Sequence, residues 1–252
     1  MRTNILILIM ICIVFISCSN KNDSDLSQSE FVFIKSGIYT IGSPVGEFGR
    51  WPKGEEDIRK IKTEGFYISK TEITEKQYYS IINEGINSNQ NSCLPVVNVS
   101  WLDAIYYCNK RSKNEGLDEV YIYPDKVNIT MHEILIDETA NGYRLPTIDE
   151  WEIACRAKTR SPYYTGTRIS KKYANYNSTE RIEVGSLNPN KYGLYDMAGN
   201  VSEWCWKNDY FTMAKGGSWQ SEDMHSLRSS SVIFSDEFTK NDYTGFRVAK
   251  NK

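Results

Sequence analysis

Three stretches of the chain repeat apolar positions at helical spacing, and each starts at a capping residue. Thr74 stands three residues before Gln77, the spacing of a capping box. Tyr78, Ile81 and Ile82 follow on one face, with a stop at Gly85. Ser100 precedes Trp101, Ala104, Ile105 and Cys108 at the same period. Thr147 and Glu150 form a further box directly after Pro146, ahead of the apolar stripe Ile148, Trp151, Ala154 and Cys155. Strand patterns are short and scattered: Phe31 to Ile34, Gly37 to Ile41, Phe66 to Ile73 and Phe246 to Ala249. Between Thr159 and Tyr243 turn residues dominate and neither period persists. No repeat or low-complexity block divides this region. The pattern predicts one α+β domain over 31–252, with much ordered loop. Aromatic side chains or a metal ion are the usual means of holding such loops.

The first thirty residues follow a different rule. Arg2 precedes an unbroken apolar run from Ile5 to Ile16, and Ser17-Cys18 follows. Such a run is too short to span a bilayer but fits the core of a secretion signal. A small residue just before a cysteine at its end, Phe15-Ile16-Ser17-Cys18, resembles a lipobox. The expectation is a signal peptide over 1–17, with thioether lipidation of Cys18 and cleavage before it. Residues 18–30 then form a polar, flexible tether. The domain is expected outside the cytoplasm, at the cell envelope and anchored to a membrane, with the outer membrane or cell surface favoured over the inner membrane.

Composition changes this picture little. The 252 residues are 40% hydrophobic and 25% charged with a formal net charge of -2, which gives no basis for binding nucleic acid. Seventeen Tyr and six Trp stiffen a core or line an interface. Cys12 leaves with the signal and Cys18 takes lipid, so Cys93, Cys108, Cys155 and Cys205 remain. An exported compartment permits disulfides, and four cysteines allow three pairings. Cys108 and Cys155 fall on apolar helix faces, where buried free thiols are common. With only His132 and His225 and no C-x-x-C pair, a zinc site is not expected.

Four ordered segments carry a family resemblance: Pro95 to Trp101 with Ala104 and Tyr107-Cys108; Tyr143 to Thr147 running into Glu150-Trp151-Glu152; Tyr192 to Trp204; and Gly216 to Trp219 closing with Gly245-Phe246-Arg247. Together they resemble the formylglycine-generating enzyme family, also called the sulfatase-modifying factor domain, over residues 31–249. The resemblance implies a variant of the C-type lectin fold with little regular secondary structure.

It also implies a calcium site, held by residues matching Asp196 and Glu203 and by the carbonyls of Gly199 and Val201. Calcium takes hard oxygen ligands at irregular turns, and Gly199 between the two carboxylates lets the backbone turn tightly. A second calcium site would begin at Asn175 and Tyr176, although only nine positions separate Asn175 from Val184, a shortened loop. Enzymes of the family use two cysteines, five apart, that bind copper and activate oxygen. Counted back from Gly245-Phe246-Arg247, those positions fall on Met224 and Ser229, and no cysteine follows Cys205. Soft sulfur ligands select copper(I) and hydroxyls do not replace them, so neither copper nor formylglycine formation is expected. Arg228 matches the family's neighbouring arginine, while a second expected arginine falls on Val232. Asp223, His225 and Ser229 lie close in sequence, which does not make a catalytic set.

The expectation is a non-catalytic envelope lipoprotein that binds a protein or ligand, or serves as a scaffold, through a groove at Trp219, Met224, Arg228 and Ser229. The alternatives are a formylglycine-generating oxidoreductase with an atypical site and a diversified ligand-display protein.

Overall fold

In the computed structural model, the described residues are 30–51, 54, 56–82, 92–126, 129–207 and 211–252. The signal segment, Cys18, most of the tether and the helix stop at Gly85 lie outside them. The described residues hold twelve short strands, three α-helices and a 3₁₀ turn at Met131–Glu133, a mixed α+β architecture.

The helices form where the caps place them. Helix α1 is Glu75–Ile82, α2 is Trp101–Asn114 and α3 is Ile148–Arg156. At α1 the Gln77 N–H donates to Thr74 Oγ1 at 3.1 Å and the Thr74 N–H donates to Gln77 Oε1 at 2.9 Å. The capping boxes at Ser100 and Thr147 close in the same reciprocal way; at Ser100 the partner three residues on is Asp103. Each box satisfies orphan N–H groups that a helix start otherwise leaves to water.

Strands β1 (Phe31–Ile34), β4 (Phe66–Ser69), β7 (Tyr143–Arg144) and β12 (Ala249–Asn251) form one sheet in the order β1-β4-β12-β7. The last strand thus lies beside β4, one strand away from the first. A second sheet, in the order β10-β9-β8-β11, joins Ile233–Ser235, Thr212–Lys215, Ser202–Cys205 and Thr244–Gly245. β11 runs parallel to β8 and pairs Gly245 with Glu203. Two hairpin-like pairs complete the set: β2 (Gly37–Ile41) with β3 (Arg59–Thr63), and β5 (Tyr121–Ile122) with β6 (Leu135–Ile136).

Two expected strands are shorter than their patterns. Pairing stops at Ser69 rather than Ile73, and Phe246 to Val248 lie outside any strand, with β12 beginning at Ala249. The backbone groups there are still satisfied: Ile73 N–H donates to the Phe246 carbonyl and Ser69 N–H to the Val248 carbonyl, both at 2.9 Å. Past Ser69 the Lys70 carbonyl accepts from the Tyr195 N–H and from Arg247.

The core falls into two clusters. One packs α1 and α2 around Trp101, Tyr107, Tyr143, Trp204 and Phe246. The other packs α3 against Ile34, Ile41, Phe66, Met197 and Leu227. Cys108, Cys155 and Cys205 are buried free thiols and Cys93 is half-buried, so none of the three possible pairings forms.

Candidate functional site

The segment from Asp196 to Glu203 is a turn leading into β8. Asp196 and Asn200 are left-handed, with φ of 57° and 60°, and Gly199 has φ of 79°. A Cβ on Gly199 would come within 2.2 Å of the Asn175 carbonyl oxygen, so only glycine fits there. The Asn200 N–H donates to that same carbonyl at 2.7 Å, and the Gly199 N–H donates to Gly216 at 2.8 Å. The Asn200 amide, wholly buried, accepts from the Ile182 N–H and donates to Glu72 Oε1 at 3.1 Å.

Four charged groups meet beneath this turn. Glu203 accepts from Arg247 Nε at 2.6 Å and from Arg247 Nη2 at 2.7 Å; its Oε2 also accepts from Trp151 Nε1 at 2.6 Å. Arg247 further donates to the carbonyls of Ser69, Lys70 and Tyr195, which ties two more segments to one guanidinium. Both side chains of the pair are completely buried. Glu72 and Asp196 are buried as well. Asp196 Oδ2 accepts from the Gly185 N–H at 2.7 Å, but Asp196 Oδ1, Glu72 Oε2 and Ser202 Oγ meet no partner.

Three carboxyl groups therefore share one arginine. Burial pushes Glu72 well above the usual carboxylate range, and the charges of Asp196 and Glu203 push it further than Arg247 can offset. Burial raises Asp196 too, against the opposing pull of the Gly185 N–H and Arg247. Among the described residues no three carboxylate, imidazole or thiol side chains converge as a ready metal-ligand set. Asn175 sits where its amide donates to the Glu180 carbonyl at 2.9 Å, spanning the short loop, and Tyr176 lies under Lys171 at 4.2 Å.

The positions expected of the catalytic pair part company. Met224 is exposed, and its carbonyl accepts from the Tyr163 hydroxyl at 2.9 Å. Ser229 is fully buried, with its Oγ 3.5 Å from Cys155 Sγ. That thiol also lies 3.3 Å from the Met197 carbonyl, and burial pushes it up to about 12, so it is no thiolate at neutral pH. Arg228 is buried too, in a bidentate pair with Glu56 at 2.6 and 2.9 Å, and it also donates to Glu47, Ser230 and the Gly49 carbonyl. It ties Glu47, Gly49 and Glu56 to this end of the domain. Phe48, between Glu47 and Gly49, packs edge-on against His225 at 4.5 Å. His225 and Ser229 make no hydrogen bond with each other, and Asp223 accepts from the His225 backbone N–H. Of the four groove residues, Arg228 and Ser229 lie inside while Trp219 and Met224 reach solvent. Val45, Phe48 and Trp51 are exposed on the same segment as Glu47 and Gly49.

Glu72, Glu56 and Lys215 escaped the sequence reading. Lys215 is buried against Glu152, which also accepts from Arg156 and the Gly42 N–H. Burial alone would raise Glu152, but these donors outweigh it and hold it below the usual range. Only Glu72 left a signal: it shares strand parity with Phe66 and Ile68, the buried face of that segment.

Compared with known proteins, residues 18–252 match the model of the Sulfatase-modifying factor enzyme 1-like domain. The chain is 30% identical over 242 residues to a protein of Paenibacillus barcinonensis named Chaperone protein LppX, covering 79% of this chain and 85% of that one. It is 32% identical over 178 residues to the Serine/threonine-protein kinase pkn1 of Chlamydia caviae; that match takes in 70% of this chain but only 27% of the kinase. Among solved structures, Treponema denticola variable protein 1 superposes with a TM-score of 0.76 at 24% identity, over 88% of this chain and 95% of that one.

Proposed function

The chain belongs to the sulfatase-modifying factor domain family, and we propose that within it the protein is a membrane-anchored, non-catalytic binding or scaffold member. The fold is the expected α+β variant, formylglycine-generating-enzyme-like and C-type-lectin-like. One observation carries the proposal. The two positions that need thiolates hold Met224 and Ser229, one facing solvent and one sealed in the core, so no oxygen-activating pair can assemble between them. The neighbouring arginine is committed to Glu56 and Glu47 rather than to a substrate. What remains at this end is a segment tied down by Arg228 that exposes Val45, Phe48 and Trp51. Exposed apolar side chains grouped on one segment suit an interaction site. The word chaperone in the name of the Paenibacillus relative is in keeping with a role in holding other proteins.

Two features complete the reading. The lipobox at Cys18 anchors the domain to a membrane outside the cytoplasm; among the described residues no helix is long and apolar enough to cross one. Calcium binds at the Asp196 turn. The donor chemistry fits, because Asp196 Oδ1 and Glu72 Oε2 are hard, buried and unpartnered oxygens. The carbonyls of Gly199 and Val201 belong to the same turn, and Glu203 would be shared with Arg247. Such an ion would offset the excess carboxylate charge of Glu72, Asp196 and Glu203 and hold the turn.

The purified chain, incubated with copper, oxygen and a Cys-x-Pro-x-Arg peptide, is expected to leave the peptide mass unchanged. Conversion of its cysteine to formylglycine would overturn the non-catalytic reading. Palmitate incorporation that disappears in Cys18→Ala tests the anchor.

A further inference from the structure

The charges of this chain are unevenly spread. From Ala157 to Thr179 it carries Lys158, Arg160, Arg168, Lys171 and Lys172 and no carboxylate, although its formal net charge is -2. All five cations are exposed. Lys171 rests over the Tyr176 ring and donates to the Asn177 carbonyl at 3.1 Å. Among the described residues, no carboxylate pairs with Lys158, Arg160, Arg168 or Lys172. Every other arginine among the described residues meets a carboxylate. The two arginines left without one therefore lie in this single stretch.

Two cavities share Thr159 as a wall. The larger, about 440 Å³, is also lined by Tyr164, Thr165, Tyr173, Asn190 and Lys191. The smaller, about 250 Å³, is lined by Lys158 and Arg160. The wall of the larger one is fixed by its own hydrogen bonds. The Asn190 amide donates to the carbonyls of Ala154 and Cys155 and accepts from the Tyr192 and Leu194 N–H groups. The Thr159 hydroxyl donates to the Arg156 carbonyl at 2.8 Å, Thr165 to the Arg168 carbonyl at 2.7 Å and Tyr164 to the Tyr173 carbonyl at 2.7 Å. Among the described residues, the side-chain donors of that wall left for a ligand are the Lys191 ammonium and the Tyr173 hydroxyl. A neutral, hydroxyl-rich ligand would find most of the donors already committed. An anion would find the cations free.

We propose that these adjoining cavities bind a small soluble polyanion carrying phosphate- or sulfate-type groups, held by Lys191 from the larger cavity and by Lys158 and Arg160 from the smaller. The guanidinium fork and the ammonium groups match tetrahedral oxyanions. Preformed cavities of this size suit a small ligand. The division of the cations between two cavities favours a ligand with more than one anionic group. The site shares no residue with the Asp196 turn or with the segment at Val45, Phe48 and Trp51, and it does not depend on the lipid anchor.

The test titrates the full chain, in neutral detergent and calcium-free buffer, with tripolyphosphate by calorimetry, and then acetylates it with and without that probe. One-to-one binding is expected, tighter than that of inorganic phosphate. Lys158 and Lys191 should be protected from acetylation several-fold more than Lys35 and Lys62, which are also exposed. Arg160→Gln and Lys191→Gln should each weaken binding about threefold, and together roughly tenfold, while Lys62→Gln leaves it unchanged. These side chains are exposed, so the fold tolerates the changes. No binding at millimolar tripolyphosphate, or an equal loss in Lys62→Gln, overturns the site. Inorganic phosphate binding as tightly as tripolyphosphate overturns the polyanion. Protection of Lys158 and Lys191 by phosphatidylglycerol vesicles but not by tripolyphosphate would make the occupant a membrane and overturn the small ligand.

Discussion

Glu72 and Asp196 bury their carboxyl groups against one another, and Oε2 of the first and Oδ1 of the second have no other group to donate to them. Two carboxylates have no hydrogen between them, so the pair is satisfied only by a shared proton or by a cation. Either way the site is charge-sensitive, and its state is readable in solution.

Without calcium the pair makes the protein less stable as pH rises. The folded pKa values of Glu72 and Asp196 lie above their ordinary 4.5 and 3.8. The folded state thus keeps protons that the unfolded chain releases. That stability is complete below the ordinary carboxylate range and is lost as pH climbs through the raised folded values. In a chelator, the melting temperature is expected to fall above about pH 5, and calcium restores it. Glu72→Gln removes most of the fall and much of the calcium response. A melting temperature indifferent to calcium at pH 8 would remove the ion from this turn.

Glu152 and Glu56 act in the opposite sense. Their folded values lie below the ordinary 4.5, held there by Lys215 and Arg156 for one and by Arg228 for the other, against burial. Their stabilisation is present above that value and is lost as pH falls through the folded ones. Acid unfolding followed by circular dichroism should therefore begin at higher pH in Lys215→Met, which leaves Glu152 one partner fewer.

Breaking the Glu203–Arg247 pair from one side is expected to cost about 3–5 kcal/mol, because it strands a buried guanidinium. Urea denaturation of Glu203→Gln measures this. The same change at Glu64, whose bond to Lys62 is in open solvent, should leave the midpoint where it was.

Arg228 holds Glu47, Gly49 and Glu56 by contacts 172 to 181 positions apart in sequence. Arg228→Lys cannot reproduce the bidentate grip on Glu56. Hydrogen exchange should speed up at residues 43–51 while the amides of α3 keep their protection. Unchanged exchange there would deny the tie.

The thiols of Cys108, Cys155 and Cys205 are buried and raised, so a thiol reagent at pH 8 should reach Cys93 first. The other three should report only after denaturation.

What the sequence by itself determined is local or repeated. The caps at Thr74, Ser100 and Thr147 each involve residues three apart, and the three helices start there. The ordered motifs named the family and, with it, the fold. That no cysteine follows Cys205 is a property of the sequence alone. Tertiary structure alone decided which charges are buried together. Glu72 meets Asn200, Arg228 meets Glu56, and Glu203 meets Arg247 across 44 to 172 residues. No spacing rule links such partners, since each pairing depends on where the chain returns after many turns. The strand at Phe66 likewise ends at Ser69 although its pattern continues to Ile73. The carbonyls of Ser69 and Lys70 there accept from Arg247, whose buried guanidinium needs partners that only the returning chain supplies.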